Sequence, residues 1–145
     1  MKIIFVCTGN TCRSPMAEGI LRHMAPDFIV ESRGIQIMPG SETSPYTQRL
    51  LKDKLAMELR QEAKQLSEAD CLKGDFIFTM TRPQADFILN FTSCTKVYPL
   101  NEFVEAVEEV ADPFGQSMDA YEKTFQQLSK YIERALKKIR QESQE

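Results

Sequence analysis

The chain has 145 residues, of which 42% are hydrophobic and 27% are charged, and its formal net charge is −3. This length suits one α/β domain and is too short for two independent cores, so we expect a single domain over residues 1–145. The near-average composition argues against a disordered or fibrous chain. The slightly acidic balance argues against binding along a nucleic-acid backbone, which requires a basic face, but a few oriented donors can still bind a local anion.

The first residues and the cysteines predict the cellular compartment of the protein. The apolar run after Lys2 is short and no small-residue cleavage site follows it, which predicts neither a signal peptide nor a membrane span. The chain has four cysteines, Cys7, Cys12, Cys71 and Cys94. Without a secretory leader, this number favours a reducing cytoplasm over a disulfide framework. The cysteines and the single histidine do not have the spacing of a zinc site, so we expect no metal.

The first half of the chain predicts alternating strands and helices. In chain order, the predicted elements are a strand over 2–6, a helix that starts at Ser14-Pro15, a strand with its apolar part over 28–30 and its end at residues 32–34, a loop over 35–43 and a helix that starts at Ser44-Pro45. The continuous apolar run of the first strand is typical of a strand covered on both faces of a parallel sheet. Both helix starts place a capping serine before a proline.

The second half continues this alternation. It predicts a short helix or turn within 61–70, a strand over 76–80, a helix that starts near Thr81, a strand over 96–100, an acidic connection over 102–110 and a long final helix. Thr81 and Gln84 have the spacing of a capping box. The whole pattern predicts an α/β fold, a single doubly wound domain with a four-stranded parallel sheet and helices on both faces. Ligands of such sheets bind beyond the carboxyl ends of the strands.

The segment between the first strand and the first helix has the character of an anion-binding loop. Five residues separate Cys7 from Arg13, so successive amide N–H groups can converge on one point beside a helix amino terminus. The residues expected to bind phosphate are Thr8, Gly9, Asn10, Thr11, Cys12, Arg13 and Ser14.

Several side chains of this loop suit distinct tasks. Cys7, close to helix-end dipoles and to Arg13, is expected to be a thiolate nucleophile. Arg13 offers a planar fork that can bind two oxygens of a phosphoryl group. Gly9 permits tight curvature, Asn10 tolerates a left-handed backbone, and Ser14 can donate a hydrogen bond to the thiolate.

At these residues the sequence resembles the low-molecular-weight protein tyrosine phosphatase family. The segment from Cys7 to Arg13, followed by Ser14-Pro15, matches the amino-terminal signature of the family, and Asp112-Pro113 lies where the family has its general acid. The resemblance implies attack of Cys7 on phosphorus, a cysteinyl-phosphate intermediate, and Asp112 as acid and base. It implies phosphorylated proteins as substrates, no cofactor and no metal, and a monomer is favoured.

Thr11 and Phe114 are the expected substrate-selecting residues. Family members that hydrolyse phosphotyrosine usually have an aliphatic residue at the position of Thr11, whereas the related protein arginine phosphatases have threonine. The segment from Asp112 to Gly115 is also similar to that branch. A hydroxyl suits a polar guanidinium, so phosphoarginine is the leading substrate and phosphotyrosine the alternative.

A second cysteine and two departures from the family pattern add further expectations. Cys12 lies close to Cys7 in a curled loop, so the pair could form a disulfide under peroxide and protect the nucleophile. Arg33 stands where the family usually has a small residue. A histidine often found in the middle of the family has no counterpart near residues 61–65.

Two rival functions use the same loop. A thioredoxin-coupled arsenate reductase needs two further cysteines just beyond the third strand, where this chain has residues 80–83, so Cys71 and Cys94 are expected to be ordinary thiols. A noncatalytic phosphate-binding or redox-sensing module would need neither a nucleophile nor an acid. The presence of both Cys7 and Asp112 therefore favours an enzyme.

Overall fold

The computed structural model describes residues 1–144 and has an α/β fold built on four parallel strands in the order β2-β1-β3-β4. The strands are β1 Lys2–Cys7, β2 Ile29–Gly34, β3 Phe76–Thr79 and β4 Val97–Pro99. The helices are α1 Arg13–Met24, α2 Pro45–Leu55, α3 Glu68–Lys73, α4 Arg82–Phe91, α5 Leu100–Phe103 and α6 Met118–Gln144. The predicted doubly wound parallel sheet is confirmed. Within residues 1–144, no helix is both long and apolar enough to cross a membrane.

Side chains of β1 alternate between two apolar layers. Ile3 and Phe5 belong to the larger layer, which contains the apolar faces of α1, α2 and α6. Ile4 and Val6 belong to the smaller layer, which contains apolar residues of α4. All four residues are at most 1% exposed, which explains the continuous apolar run in the sequence.

Two predicted helix starts agree with the structure. Ser44 is the N-cap of α2 and accepts a hydrogen bond from the Thr47 amide, and Pro45 is the first helical residue. Thr81 caps α4 in a capping box with Gln84. Local side-chain chemistry is sufficient to begin these two helices.

The start of α1 differs from the prediction. Ser14 was expected to cap the helix, but α1 begins at Arg13, and Cys12 occupies the N-cap position without a side-chain cap hydrogen bond. Pro15 is tolerated within the first turn because amides there have no partner inside the helix. The Ser14 hydroxyl instead faces the Cys7 sulfur, so a residue predicted to cap the helix contacts the expected nucleophile.

The end of the second strand agrees with the prediction and the start of the third helix does not. The second strand continues to Gly34 through the polar residues 31–33, because backbone pairing with β1 extends over this whole segment. The helix expected within 61–70 begins only at Glu68, after a capping box formed by Ser67 and Asp70.

Cys71 and Cys94 are not the ordinary thiols that the sequence predicts. The structure joins them in a disulfide with a Cα–Cα distance of 4.7 Å. Cys71 lies in α3 and Cys94 follows α4, and both pack against the smaller apolar layer, where the fold places them side by side. Cys7 and Cys12 are free.

Gly34 and Gly19 both have too little space for a larger residue. Gly34 pairs with Cys7 in the sheet, and an added Cβ would lie 2.5 Å from Ile37 and 2.9 Å from the Thr8 carbonyl oxygen. At Gly19 the added Cβ would lie 2.6 Å from the Leu51 side chain.

We expect Gly34→Ala and Gly19→Ala each to lower the free energy of unfolding by about 1–3 kcal/mol, because both overpack the interior. Only Gly34→Ala should also weaken the binding of inorganic phosphate, because it displaces the backbone at Thr8. Urea unfolding and calorimetry measure the two effects, and equal phosphate affinities in both variants would contradict this expectation.

Candidate active site

The loop between β1 and α1 turns its carbonyl oxygens outward. The Cys7 carbonyl accepts a hydrogen bond from the Ile35 amide at 3.1 Å, and the Thr8 carbonyl accepts one from the next amide at 3.0 Å. The Thr11 carbonyl accepts one from the Ser44 amide at 2.8 Å. Within residues 1–144, no amide from Thr8 to Thr11 donates to a protein acceptor. Because the C=O and N–H of one peptide unit point in opposite directions, the amides of Thr8, Gly9 and Cys12 face the interior of the loop.

Hydrogen bonds of the Asn10 side chain hold the loop in this shape. Its φ is 58°, the left-handed conformation that the sequence predicts to be tolerated here. The side chain is buried, and its Nδ2 donates to the hydroxyls of Ser14 and Ser32, each at 2.9 Å. Its Oδ1 accepts from the Lys64 amide at 2.9 Å. One side chain therefore ties the loop to α1, to β2 and to the segment before α3.

Cys7 and Ser14 are in direct contact. The Cys7 Sγ lies 2.9 Å from the Ser14 Oγ. Because Asn10 donates to that oxygen, the Ser14 hydroxyl hydrogen can be directed at the sulfur or at the Arg33 carbonyl oxygen, which is 3.4 Å away. A hydrogen bond from Ser14 to the sulfur would strengthen as negative charge develops there.

Arg13 and Asp112 approach each other across the loop. The Arg13 side chain is buried, and its Nη1 donates to the Val110 carbonyl oxygen at 3.1 Å. Its Nη2 lies 3.6 Å from the Asp112 Oδ2. The Asp112 side chain is 56% exposed, and its Oδ1 accepts from the Phe114 amide at 3.1 Å. The carboxylate therefore lies at the mouth of the loop.

A cavity of about 230 Å³ unites most of the predicted site residues. Its lining residues are Cys7, Thr8, Gly9, Thr11, Cys12, Arg13, Asp112 and Phe114. Asn10 and Ser14 do not line it, because both are buried beneath the loop and act through hydrogen bonds. The cavity combines a cysteine sulfur, inward-facing amides, a guanidinium and a carboxylate, which are groups that suit the binding and transfer of a phosphoryl group.

Cys12 has a close partner that the sequence does not reveal. Its Sγ lies 3.2 Å from the Tyr121 hydroxyl, which also accepts a hydrogen bond from Ser44 at 3.2 Å. Burial, followed by the hydrogen bond with Cys12, raises the pKa of Tyr121 to about 12. Tyr121 therefore keeps its proton at neutral pH and can donate it to the Cys12 sulfur.

A buried carboxylate extends the network below the loop. Glu18 is 1% exposed, and its Oε1 accepts from Ser32 at 2.6 Å and from Gln61 at 2.8 Å. Arg22 pairs with its other oxygen. Gln61 lies in the region where this chain lacks the histidine often found in the family, and its side-chain amide donates to Glu18. The sequence signal for this network was a glutamate on the buried face of α1. Its partners could not be identified from the sequence, because they lie far away in the chain.

Two further side chains complete the surroundings of the loop. Gln84, predicted only as part of a capping box, also donates to the Thr8 hydroxyl at 3.1 Å. Arg33, the departure from the family pattern, pairs with Asp70 at 3.1 Å and with Glu31, and it does not line the cavity of Cys7. Among the described residues, no group of three or more histidine, cysteine, aspartate or glutamate side chains is arranged to hold a metal ion.

Comparisons with known proteins identify the family. The family described as "Low molecular weight phosphotyrosine protein phosphatase" matches residues 2–145. The chain belongs to the low-molecular-weight protein tyrosine phosphatase family. It is therefore a cysteine-dependent hydrolase, and its family acts on phosphorylated proteins.

Curated relatives of this phosphatase include two staphylococcal proteins. The low-molecular-weight protein-tyrosine-phosphatase PtpB of Staphylococcus haemolyticus is 40% identical over 129 residues, which cover 88% of this chain and 92% of that protein. PtpB of Staphylococcus aureus is 39% identical over 133 residues, which cover 91% and 94% of the two chains.

Solved structures with the same fold include two kinds of phosphatase. The low-molecular-weight protein tyrosine phosphatase from T. tengcongensis has a TM-score of 0.91 and 32% identity, over 95% of this chain and 99% of that one. The YwlE arginine phosphatase from Geobacillus stearothermophilus has a TM-score of 0.89 and 34% identity, over 97% and 94% of the two chains.

We expect Ser14→Ala to lower kcat/KM for p-nitrophenyl phosphate by about 10- to 100-fold, because it removes a hydrogen bond that can stabilise negative charge on the Cys7 sulfur during the reaction. Ser129→Ala, in the middle of α6, is the control and should retain wild-type turnover. Steady-state kinetics measure both variants, and full activity of Ser14→Ala would exclude a contribution of this contact to turnover.

Proposed function

We propose that this phosphatase hydrolyses phosphoarginine in proteins through a cysteinyl-phosphate intermediate, with Cys7 as the nucleophile and Asp112 as the general acid and base. The observation that carries the catalytic assignment is the single cavity that contains Cys7, Arg13 and Asp112. The Arg13 Nη2 and the Asp112 Oδ2 are 3.6 Å apart. This distance supports phosphate binding by Arg13 next to acid and base catalysis by Asp112.

The first step transfers the phosphoryl group to sulfur. The loop amides and Arg13 bind the phosphate oxygens, which directs phosphorus toward the Cys7 sulfur. The S–P bond forms as the P–N bond of phosphoarginine breaks, and Asp112 donates a proton to the leaving nitrogen. Because the phosphate competes for Arg13, its arrival frees the Asp112 carboxyl for the leaving group.

The second step regenerates the thiolate. Water attacks phosphorus and gives a proton to Asp112 as the S–P bond breaks. The electron pair returns to the Cys7 sulfur, where the Ser14 hydroxyl is 2.9 Å away and can stabilise the departing anion. Inorganic phosphate then leaves the loop.

Thr11 supports phosphoarginine as the substrate. Its side chain lines the cavity that contains Cys7 and Asp112, so its hydroxyl is available to a polar guanidinium or to water. Asp112, also on this cavity, can pair with the guanidinium cation. The YwlE arginine phosphatase at 34% identity gives this substrate a precedent in the same fold.

Phosphotyrosine is the second candidate substrate. Phe114 is 72% exposed beside the cavity, and its ring could pack against a phenol ring. The PtpB relatives, named as tyrosine phosphatases, favour this alternative at 39–40% identity.

We expect Thr11→Ile to lower the ratio of kcat/KM for phosphoarginine over phosphotyrosine peptides by about 10-fold or more, because it replaces the hydroxyl with an apolar surface. Thr95→Ile, on an exposed loop away from the cavity, should leave the ratio unchanged. Phosphate release from matched peptides measures the ratio, with Cys7→Ser as the background. An unchanged ratio in Thr11→Ile would remove the basis for phosphoarginine.

Cys7 and Cys12 are also proposed to form a disulfide under peroxide. Peroxide would oxidise Cys7 to a sulfenic acid, and attack by the Cys12 sulfur would form the disulfide and release water. In the structure, Cys12 is instead held by Tyr121, so the disulfide requires this hydrogen bond to break. Tyr121 would thus slow the formation of the Cys7–Cys12 disulfide.

We expect Tyr121→Phe to form the Cys7–Cys12 disulfide faster under peroxide, because its ring lacks the hydroxyl that holds Cys12. Tyr131→Phe, at another buried tyrosine of α6, is the matched control and should behave as wild type. Peptide mapping over time measures the crosslink. Sulfonic acid at Cys7 with free Cys12 in all three proteins would exclude the redox response.

A further inference from the structure

A second cavity adjoins the candidate active site beside the start of α2. Its volume is about 480 Å³, and it lies between residues 41–46 and residues 114–116. Thr11 and Phe114 line both this cavity and the one that contains Cys7. A large substrate bound at Cys7 can therefore extend past this shared wall into the second cavity.

Aromatic rings form much of this second cavity. Tyr46 is 40% exposed and Phe114 is 72% exposed, so both present apolar surface to a ligand. Tyr121 is buried, and its ring meets Tyr46 edge to face at a centroid distance of 5.0 Å. The hydrogen bonds of Tyr121 to Cys12 and Ser44 fix this ring in place. The cavity thus has a rigid floor and an apolar rim.

The rim of the cavity has an ion pair. Glu42 lines the cavity, and its carboxylate pairs with Arg60 at 2.6 Å. Because the two charges compensate each other, the pair offers an acidic side chain no free cation. An acidic side chain in the cavity would therefore lose its own hydration without an ionic partner, whereas an apolar side chain would gain contact with the rings.

We propose that this cavity is a substrate subsite that binds an apolar side chain close to the phosphorylated residue of a protein substrate. The proposal rests on the proposed function, because it places a phosphorylated side chain at Cys7. Residues of an extended segment advance by about 3.3 Å and alternate in direction, so a side chain one or two residues away can reach the adjoining cavity. The occupant is thus a leucine, methionine or phenylalanine of the substrate segment.

The test uses two series of peptides, one with phosphoarginine and one with phosphotyrosine. Leu, Gly or Glu is placed in turn at each of the two positions before and after the phosphorylated residue. We expect wild-type kcat/KM to be about 10-fold higher for Leu than for Gly or Glu at one of these positions. Titration of the same peptides into Cys7→Ser measures the preference as binding, independently of turnover.

Variants of Tyr46 test whether the preference for Leu arises in the second cavity. Tyr46→Ala should remove most of the preference for Leu, and Tyr46→Phe should keep it, because only the ring is needed. Phe91→Ala removes an aromatic ring that is 73% exposed at the end of α4, and it should keep the preference of the wild type.

The outcomes separate this subsite from the proposed substrate. A Leu preference confined to the phosphotyrosine series would support the subsite and overturn phosphoarginine as the substrate. Equal values for Leu, Gly and Glu at every position, in both turnover and binding, would overturn the subsite. A preference that persists in Tyr46→Ala would overturn it as well.

Discussion

The buried side chain of Asn10 is the constraint on which the candidate active site depends. Its three hydrogen bonds connect the loop to Ser14, Ser32 and the Lys64 amide, and they hold a left-handed backbone that few other residues tolerate. A typical hydrogen bond contributes about 0.5–1.5 kcal/mol, but leaving a buried partner unpaired costs more, so these bonds act together. With the loop fixed in this way, its amides face the cavity before any phosphate arrives, and little reorganisation is needed on binding.

The second constraint brings Asp112 to that loop from the far end of the chain. The Val110 amide bonds the Met80 carbonyl at the end of β3, and the Ala111 amide bonds Gln127 of α6. The Arg13 guanidinium then binds the Val110 carbonyl, so the loop that contains Cys7 and the segment that contains Asp112 share one anchor. The parallel sheet makes this possible, because the carboxyl ends of β1 and β3 lie at the same edge.

Local patterns were sufficient to predict the strands, two capped helices and the loop, because each of these signals lies within a few neighbouring residues. The pairing of the strands in one parallel sheet was inferred from their alternation with helices. The disulfide between Cys71 and Cys94 was missed, since it depends on how α3 and the end of α4 meet in space. The same limit applies to Tyr121, whose contact with Cys12 joins residues 109 positions apart. For Ser14 the two predictions have different outcomes: its contact with the Cys7 sulfur is present, but Cys12 and not Ser14 occupies the N-cap position of α1. The chemical roles assigned to the loop remain predictions.

Thr11 has a wider effect than its role beside the phosphate suggests. Together with Phe114 it separates the cavity of Cys7 from the cavity of Tyr46, so any side chain at position 11 contributes to both. A branched apolar residue there would enlarge the apolar surface next to the leaving group and, at the same time, narrow the passage to the second cavity. Selection of the phosphorylated residue and selection of its neighbour are therefore physically coupled. A change of substrate in this fold can thus alter both preferences through a single residue.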